Sequence, residues 1–220
     1  MKNIAIDGPA GAGKSTISKA VSKELGFIYV DTGALYRAVG YYVVKNGVNT
    51  KDEKTVSECL SKISVELKFV NSTQRVFLNG EDVSDFIRTP EISMAASDVS
   101  ALPCVRKFLF ETQQKIAREN NVVMDGRDIG TVVLPNADVK IFLTASPEER
   151  ARRRYDELIL KGQEVNYDDV LKDVITRDYN DSHREIAPLK QADDAVLIDT
   201  TGNTLEKSIE VLLNAIKERL

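Results

Sequence analysis

The residues Gly8-Pro9-Ala10-Gly11-Ala12-Gly13-Lys14-Ser15 satisfy the spacing G-x-x-x-x-G-K-[ST], with Thr16 directly after them. Each type has a chemical reason to stand there. Glycine lets backbone N–H groups converge on phosphate oxygens, a helix start adds partial positive charge, and Lys14 brings a full charge to the β- and γ-phosphates. Ser15 places a hydroxyl where Mg²⁺ would be held. The pattern needs a strand before it and a helix after it. Both are present: Ile4 to Asp7 is an apolar run, and Ile17, Ala20, Val21 and Leu25 recur at helical spacing until Gly26. A glycine-rich turn serving only backbone geometry would need neither the lysine nor the hydroxyl. The loop predicts a nucleoside triphosphate site, and leaves open both the base and the choice among kinase, switch and motor.

Three other strings imitate known chemistry. Asn49-Thr50-Lys51-Asp52 has its lysine one place too late for the guanine-reading N-K-x-D, and Asp199-Thr200-Thr201-Gly202 follows the last strand, where a turn into the final helix is expected. Asp31-Thr32-Gly33 resembles an aspartic protease tripeptide, but such a dyad needs two matching aspartates on an all-β frame. Thr32 is read instead as an exposed hydroxyl at the C-terminal end of a strand, where ligands of α/β sheets bind.

Moving a phosphoryl group between two anions requires fixed positive charge around both, which directs attention to the arginines. Arg37 lies about a turn after Thr32, and Arg127 and Asp128 follow the apolar Val122-Val123-Met124-Asp125. Arg150 and Arg154 are four apart, hence on one helical face, with Arg153 beside them. Arg177, Asp181 and Arg184 are spaced by four and three, which also predicts one face. Arg152 is read as solvated.

These groups need elements to position them. Strands are predicted at Ile4 to Asp7, Phe27 to Val30, Val122 to Asp125, Val139 to Leu143 and Ala195 to Asp199. Leu35, Ala38, Val39, Tyr42 and Val43 form a helical stripe ended by Gly47, and a last helix follows Asn203 with Leu205, Ile209, Leu212, Leu213 and Ile216 on one stripe. Ser146-Pro147-Glu148-Glu149 reads as a capping box opening the helix that bears Arg150. Between about 64 and 85, alternation at Val65, Leu67, Phe69, Val76 and Leu78, with turns at Asn71-Ser72 and Asn79-Gly80, predicts a small antiparallel insertion. The class is therefore α/β, with a parallel sheet covered on both faces.

Composition sets the remaining bounds. The chain has 220 residues, 42% hydrophobic and 29% charged, with formal net charge −4, which describes a soluble globular protein able to build its own core. No fixed-period repeat divides it. Cys59 and Cys104 lack a CxxC spacing, so both are expected reduced, as small buried side chains. The start MKNIAIDGPAGAG holds no signal-like apolar stretch, and no apolar run approaches the ~20 residues that span a bilayer. A pI near 5.3 speaks against wide nucleic-acid binding while allowing a basic pocket.

The strings GPAGAGKST, DTGALYRA, DGRDIGTVV, SPEERARRR and RDYNDSHREIAPL together resemble the bacterial cytidylate kinase family, over essentially the whole chain. The resemblance implies a single P-loop, three-layer α/β chain over 1–220. An acceptor-nucleotide region is implied over about 32–105, with its antiparallel insertion near 64–85, and a helical lid over about 148–185. It also implies ATP-dependent phosphorylation of CMP and dCMP, with Mg²⁺. Lys14, Arg127, Arg150 and Arg154 would be catalytic. Thr32, Arg37 and Arg127 would surround the acceptor phosphate, while Ser97, Arg106 and Asp128 would meet the cytosine edge. Arg177 and Asp181 would contact the ribose, Arg184 would lie near base or phosphates, and Arg150 and Arg154 would belong to the lid over ATP. Ser15 and Asp125 would serve the metal, Asp125 through water. The expected setting is a cytoplasmic monomer without nucleic-acid or membrane partners. Lone His183 is read as a surface or capping residue, because an ionised phosphate nucleophile needs no general base. Kinases of another monophosphate such as UMP, and a non-catalytic nucleotide-binding module, are the alternatives.

Overall fold

The computed structural model describes residues 1–70 and 73–220. From the N-terminus come β1 (Asn3–Asp7), α1 (Lys14–Leu25), β2 (Ile28–Asp31), α2 (Thr32–Lys45) and α3 (Glu53–Leu60). Then follow β3 (Val65–Val70), β4 (Thr73–Leu78), β5 (Glu81–Asp82), α4 (Pro90–Ser100) and α5 (Pro103–Glu119). β6 (Val122–Gly126) leads through one π-helical turn, Ile129–Val133, into β7 (Val139–Thr144), α6 (Pro147–Leu160), α7 (Tyr167–His183), β8 (Val196–Asp199) and α8 (Leu205–Lys217).

Five strands form a wholly parallel sheet in the order β2-β6-β1-β7-β8. Successive strand residues point to opposite faces, and β1 uses both. Ile4 and Ile6 join Ile17 and Val21 of α1 and Leu212 and Ile216 of α8 in one buried cluster, while Ala5 faces Ala117 of α5 in another. Helices therefore cover both faces, giving three layers. A third cluster lies under α2, α3, α4 and the β3-β4-β5 sheet, and a small fourth one holds α6 to α7 through Ala151, Leu158, Val170 and Val174.

The antiparallel insertion is present as β3-β4-β5, and its Asn79-Gly80 turn has φ of 51° and 82°, the left-handed pair a tight hairpin demands. Asn71-Ser72, the other predicted turn, lies outside the described residues. Boundaries shift where capping decides them. α2 begins at Thr32, earlier than its apolar stripe, because the Asp31 carboxylate accepts the Ala34 N–H at 3.1 Å. α8 is capped by Thr204, one residue beyond the predicted Asn203. α7 ends at His183, so Arg184 is not on the helical face with Arg177 and Asp181. Its backbone is extended instead. Cys59 is buried as expected, whereas Cys104 is only half-buried.

One buried acid ties the sheet to the site. Asp7, at the end of β1, accepts the N–H groups of Ile129 and Gly130, both at 2.7 Å, and so anchors the π-helical turn after β6. Burial pushes its carboxyl from 3.8 up to about 6, against the lowering by those two N–H groups. Between these two values the folded chain binds the proton and the unfolded chain does not, so the group's contribution to stability falls as pH rises across that window. Relative to Asp7→Asn, the native chain should lose about 2 kcal/mol of stability between pH 4 and pH 7. Urea denaturation of both proteins at the two pH values reads the difference, and an unchanged gap would show that Asp7 does not titrate in the fold.

Candidate active site

The C-terminal ends of β1, β2 and β6 open into a cleft of about 630 Å³. On one side stands the glycine-rich loop between β1 and α1. Gly8 has φ of 149°, and a Cβ there would fall 1.9 Å from the Leu143 carbonyl oxygen, so the loop passes against β7 closely enough to require glycine. Lys14 is buried and its Nζ donates to the Gly8 and Pro9 carbonyls, each at 2.7 Å. Burial, followed by the nearby Arg127 charge, lowers its pKa, with Asp125, Asp7 and Asp181 pulling the other way. Ser15 Oγ donates to Asp125 at 3.0 Å, and the Tyr29 hydroxyl donates to the other carboxylate oxygen at 3.2 Å. Burial, then the Asp31 charge, raises the Asp125 pKa. A buried carboxylate beside a hydroxyl is an oxygen donor set suited to Mg²⁺, which keeps several waters and takes one or two protein ligands. Among the described residues no cluster of three or more His, Cys, Asp or Glu forms a fuller cage.

Across the cleft, carboxylates hold arginines in place. Asp31 pairs with Arg37 at 2.7 Å and Arg88 at 3.8 Å; burial raises its pKa, but these two guanidinium groups bring it below the usual range. The Gln74 side chain on β4 brackets the Asp31 backbone, accepting its N–H at 2.8 Å and donating to its carbonyl at 3.2 Å. Arg106 pairs with Asp128, donates to the Ser100 carbonyl at 3.1 Å and lies over the Tyr36 ring. Arg127 Nε donates to Asp181 at 2.8 Å, and Arg184 stands 3.6 Å from Asp128 and 4.0 Å from Asp181. Arg37 Nε, Arg177 Nε and Arg184 Nη2 are buried without a hydrogen-bond partner. Ten basic side chains face the cleft against five acidic ones, in a chain of net charge −4. Unpaired donors and surplus charge of this kind call for a polyanion.

The cytidylate kinase family model matches residues 4–218. The chain belongs to the cytidylate kinase family. It is 54% identical over 211 residues to the cytidylate kinase of Caldicellulosiruptor bescii, covering 96% of this chain and 93% of that one. With the cytidylate kinase of Bacillus subtilis it shares 46% over 217 residues, 99% and 97% of the two chains. A solved structure of an uncharacterized protein from Eubacterium ventriosum shares the fold at a TM-score of 0.54 and 11% identity, over the full length of both chains.

Most residues that the cytidylate kinase resemblance singled out meet in this cleft. Lys14, Ser15, Thr16, Thr32, Arg37, Ser97, Arg106, Asp125, Arg127, Asp128, Arg154, Arg177, Asp181 and Arg184 all line it. Two readings are corrected. Thr32 is buried rather than exposed, its hydroxyl donating to the Asp125 carbonyl at 2.8 Å, and Gly126 leaves the room: a Cβ there would lie 2.8 Å from Thr32 Oγ1. Arg150 does not face the cleft. It is buried, pairs with Asp178 and donates to the Ala145 and Ala10 carbonyls at 2.8 and 3.0 Å, so it braces α6 against α7 and the loop. Arg153 and Arg154 are the α6 arginines on the cleft. His183 is exposed at the α7 terminus, stacked on Tyr179 with Nδ1 2.9 Å from its carbonyl oxygen. Asp7, Tyr29, Asp31, Gln74 and Arg88 escaped the sequence reading. Only Asp31, after an apolar strand and six residues before Arg37, carried a usable signal there.

Arg150 and Arg154 should therefore separate. Arg150→Ala strips Asp178 of a buried partner and should cost about 2–3 kcal/mol of stability. Arg154→Ala should leave the urea midpoint in place and lower kcat by about ten-fold or more, as loss of a charge aimed at transferring phosphates does. Equal stability loss in both variants would contradict the division.

Proposed function

We infer that this enzyme transfers the γ-phosphoryl group of ATP directly to CMP or dCMP, in line and without a covalent intermediate. The observation that carries the reading is one continuous cleft with two anion-binding ends, Lys14 on the loop and the Arg37, Arg127 and Arg177 group opposite it. The attacking phosphate oxygen is already ionised, so positioning and charge stabilisation supply the catalysis. Lys14 and Arg154 would neutralise the moving phosphoryl group, while Arg37, Arg88 and Arg127 would hold the acceptor phosphate, Asp31 keeping Arg37 in place. Ser15 and Asp125 would hold Mg²⁺, directly or through water. When bound, that ion would supply Lewis-acid neutralisation of the charge developing on the phosphates.

At the base end, Asp128 lies beside Arg106, with Ser97 and Ser100 also on the cleft wall. Cytosine offers an N4 donor and N3 and O2 acceptors, so a carboxylate beside an arginine donor suits it. Uracil would set its O4 against the carboxylate. Arg177 and Asp181 would take the ribose hydroxyls, and Arg184 would sit between base and phosphate. No helix among the described residues is long and apolar enough to cross a membrane; a cytoplasmic monomer acting on free nucleotides rather than nucleic acid is part of the proposed reading.

Steady-state assay of ADP formation with CMP, dCMP, UMP and AMP tests the reading, and turnover led by UMP or independent of CMP would overturn it. Asp128→Asn tests the base contact. The amide offers a donor to uracil O4, so kcat/KM should fall with CMP while the UMP to CMP ratio rises by roughly ten-fold, the factor that ~1.4 kcal/mol gives. A proportional fall with both substrates would move Asp128 from reading the base to holding Arg106.

A further inference from the structure

The N-terminus of α6 departs from the capping box its sequence announces. In such a box the N3 glutamate reaches back to the N–H of the N-cap residue. Ser146 Oγ does accept the Glu149 N–H, at 3.3 Å, but the Ser146 N–H donates to Thr201 Oγ1 at 2.9 Å. The Glu149 carboxylate is turned elsewhere. One oxygen pairs with Arg153, and the other accepts the Gly202 N–H at 2.7 Å. Arg153 Nη2 also donates to the Thr200 carbonyl at 3.2 Å. One side chain thus ties a cleft arginine to the loop that runs from β8 into α8. That loop is itself fixed, since Thr200 is fully buried and its N–H and hydroxyl both reach the Thr144 carbonyl, at 2.8 and 3.0 Å.

We propose that Glu149 is a positioning residue for the base of the donor nucleotide, holding the Arg153 guanidinium and the 200–204 backbone as the two sides of a purine slot. The proposal rests on the reading of the Gly8 to Ser15 loop as the seat of the ATP phosphates. With those phosphates at Lys14 and the Arg106–Asp128 end given to the acceptor base, the donor base leaves the loop in the other direction. There the cleft is lined by Arg153, Thr16, Asn203, Leu205 and Ser208, next to the first turn of α1. A planar guanidinium stacks on an aromatic face, Leu205 offers apolar surface, and the Asn203 amide has both a donor and an acceptor for a base edge. An arginine on a helix samples many rotamers. Glu149 and the Thr200 carbonyl limit Arg153 to one, with its Nη1 3.7 Å from where a Cβ on Gly13 would lie.

The test compares Glu149→Ala, Glu149→Gln and Arg153→Ala with the native chain. Calorimetry with Mg²⁺ measures binding of ATP and of inorganic triphosphate, which has no base, and kinetics give KM for CMP. Glutamine keeps an acceptor for the Gly202 N–H but loses the ionic hold on Arg153, so it should fall between alanine and native. Glu149→Ala should weaken ATP by roughly ten-fold, the scale of one desolvated cation–π contact, with triphosphate affinity and KM for CMP unchanged. Added to Arg153→Ala, it should weaken ATP little further. Equal weakening of ATP and triphosphate would assign Glu149 to the phosphate loop and overturn the proposal, as would native ATP affinity in both Glu149 variants. A native chain that binds ATP but makes no ADP with CMP would overturn the functional reading alone. Should Glu149→Ala fail to fold, Glu149→Gln and Arg153→Ala carry the same comparison.

Discussion

A guanidinium cannot be buried cheaply, yet catalysis between two polyanions needs several of them pointing into one cleft from well-packed walls. The fold meets this constraint with carboxylate partners: Asp31 for Arg37, Asp128 for Arg106, Asp181 for Arg127, Asp178 for Arg150 and Glu149 for Arg153. A guanidinium has five N–H donors in a rigid fork. Pairing one edge with a carboxylate fixes the plane and leaves the other edge for substrate. Arg37 Nε, which makes no hydrogen bond while Nη2 of the same side chain pairs with Asp31, is such a remaining donor. The same pairing explains why a chain of net negative charge presents a positive cleft. Its acids are spent behind and between the arginines, while the arginines face inward.

Parallel strands make that arrangement possible because their C-terminal ends converge. β2 ends at Asp31, β6 runs through Asp125 to Gly126 beside Arg127 and Asp128, and β1 ends at Asp7 just before the glycine loop. Asp7 then reaches across to the N–H groups of Ile129 and Gly130. The segment carrying Arg127 and Asp128 is thereby pinned at both ends, by strand pairing before it and by a buried carboxylate after it. The acid that pins it has its charged form disfavoured by burial, a cost the fold accepts to fix the position of two cleft-lining side chains.

What was legible in the sequence was what is local. The loop from Gly8 to Ser15 is one contiguous string with its strand and helix adjoining, and strand and helix periodicities carry the sheet and its cover. Partnerships are not local: Arg106 and Asp128 are 22 residues apart, Arg127 and Asp181 are 54. Spacing could place Arg177 and Asp181 on one face, but not say which acid each arginine would meet. Arg150 and Arg153 show the limit within a single helix. Residues three and four apart share a face, so spacing alone joins Arg150 to both Arg153 and Arg154. What separates them is that α7 and Asp178 lie on one side of α6 and the cleft on the other, a tertiary fact. Thr32 was misread for a similar reason, since the carbonyl that takes its hydroxyl comes from β6.

The two ends of the cleft are built by different parts of the chain. One end is lined by α2 and α4 and braced from the insertion by Gln74, whereas the other is lined by α6 and α8, with Glu149 joining α6 to the loop before α8. The strand tips, the segment after β6, and α7 with Arg177 and Asp181 lie between them. α6 and α7 share a small core of their own, so they form one packed unit, and its α7 member carries Arg177 and Asp181 into the cleft. Arg127 on the β6 segment pairs with Asp181 on α7, and Arg184, just after α7, reaches Asp128 and the Ser100 hydroxyl. These pairs tie α7 and the residue after it to the segment that follows β6, so any displacement of the helical pair must carry them along or break them.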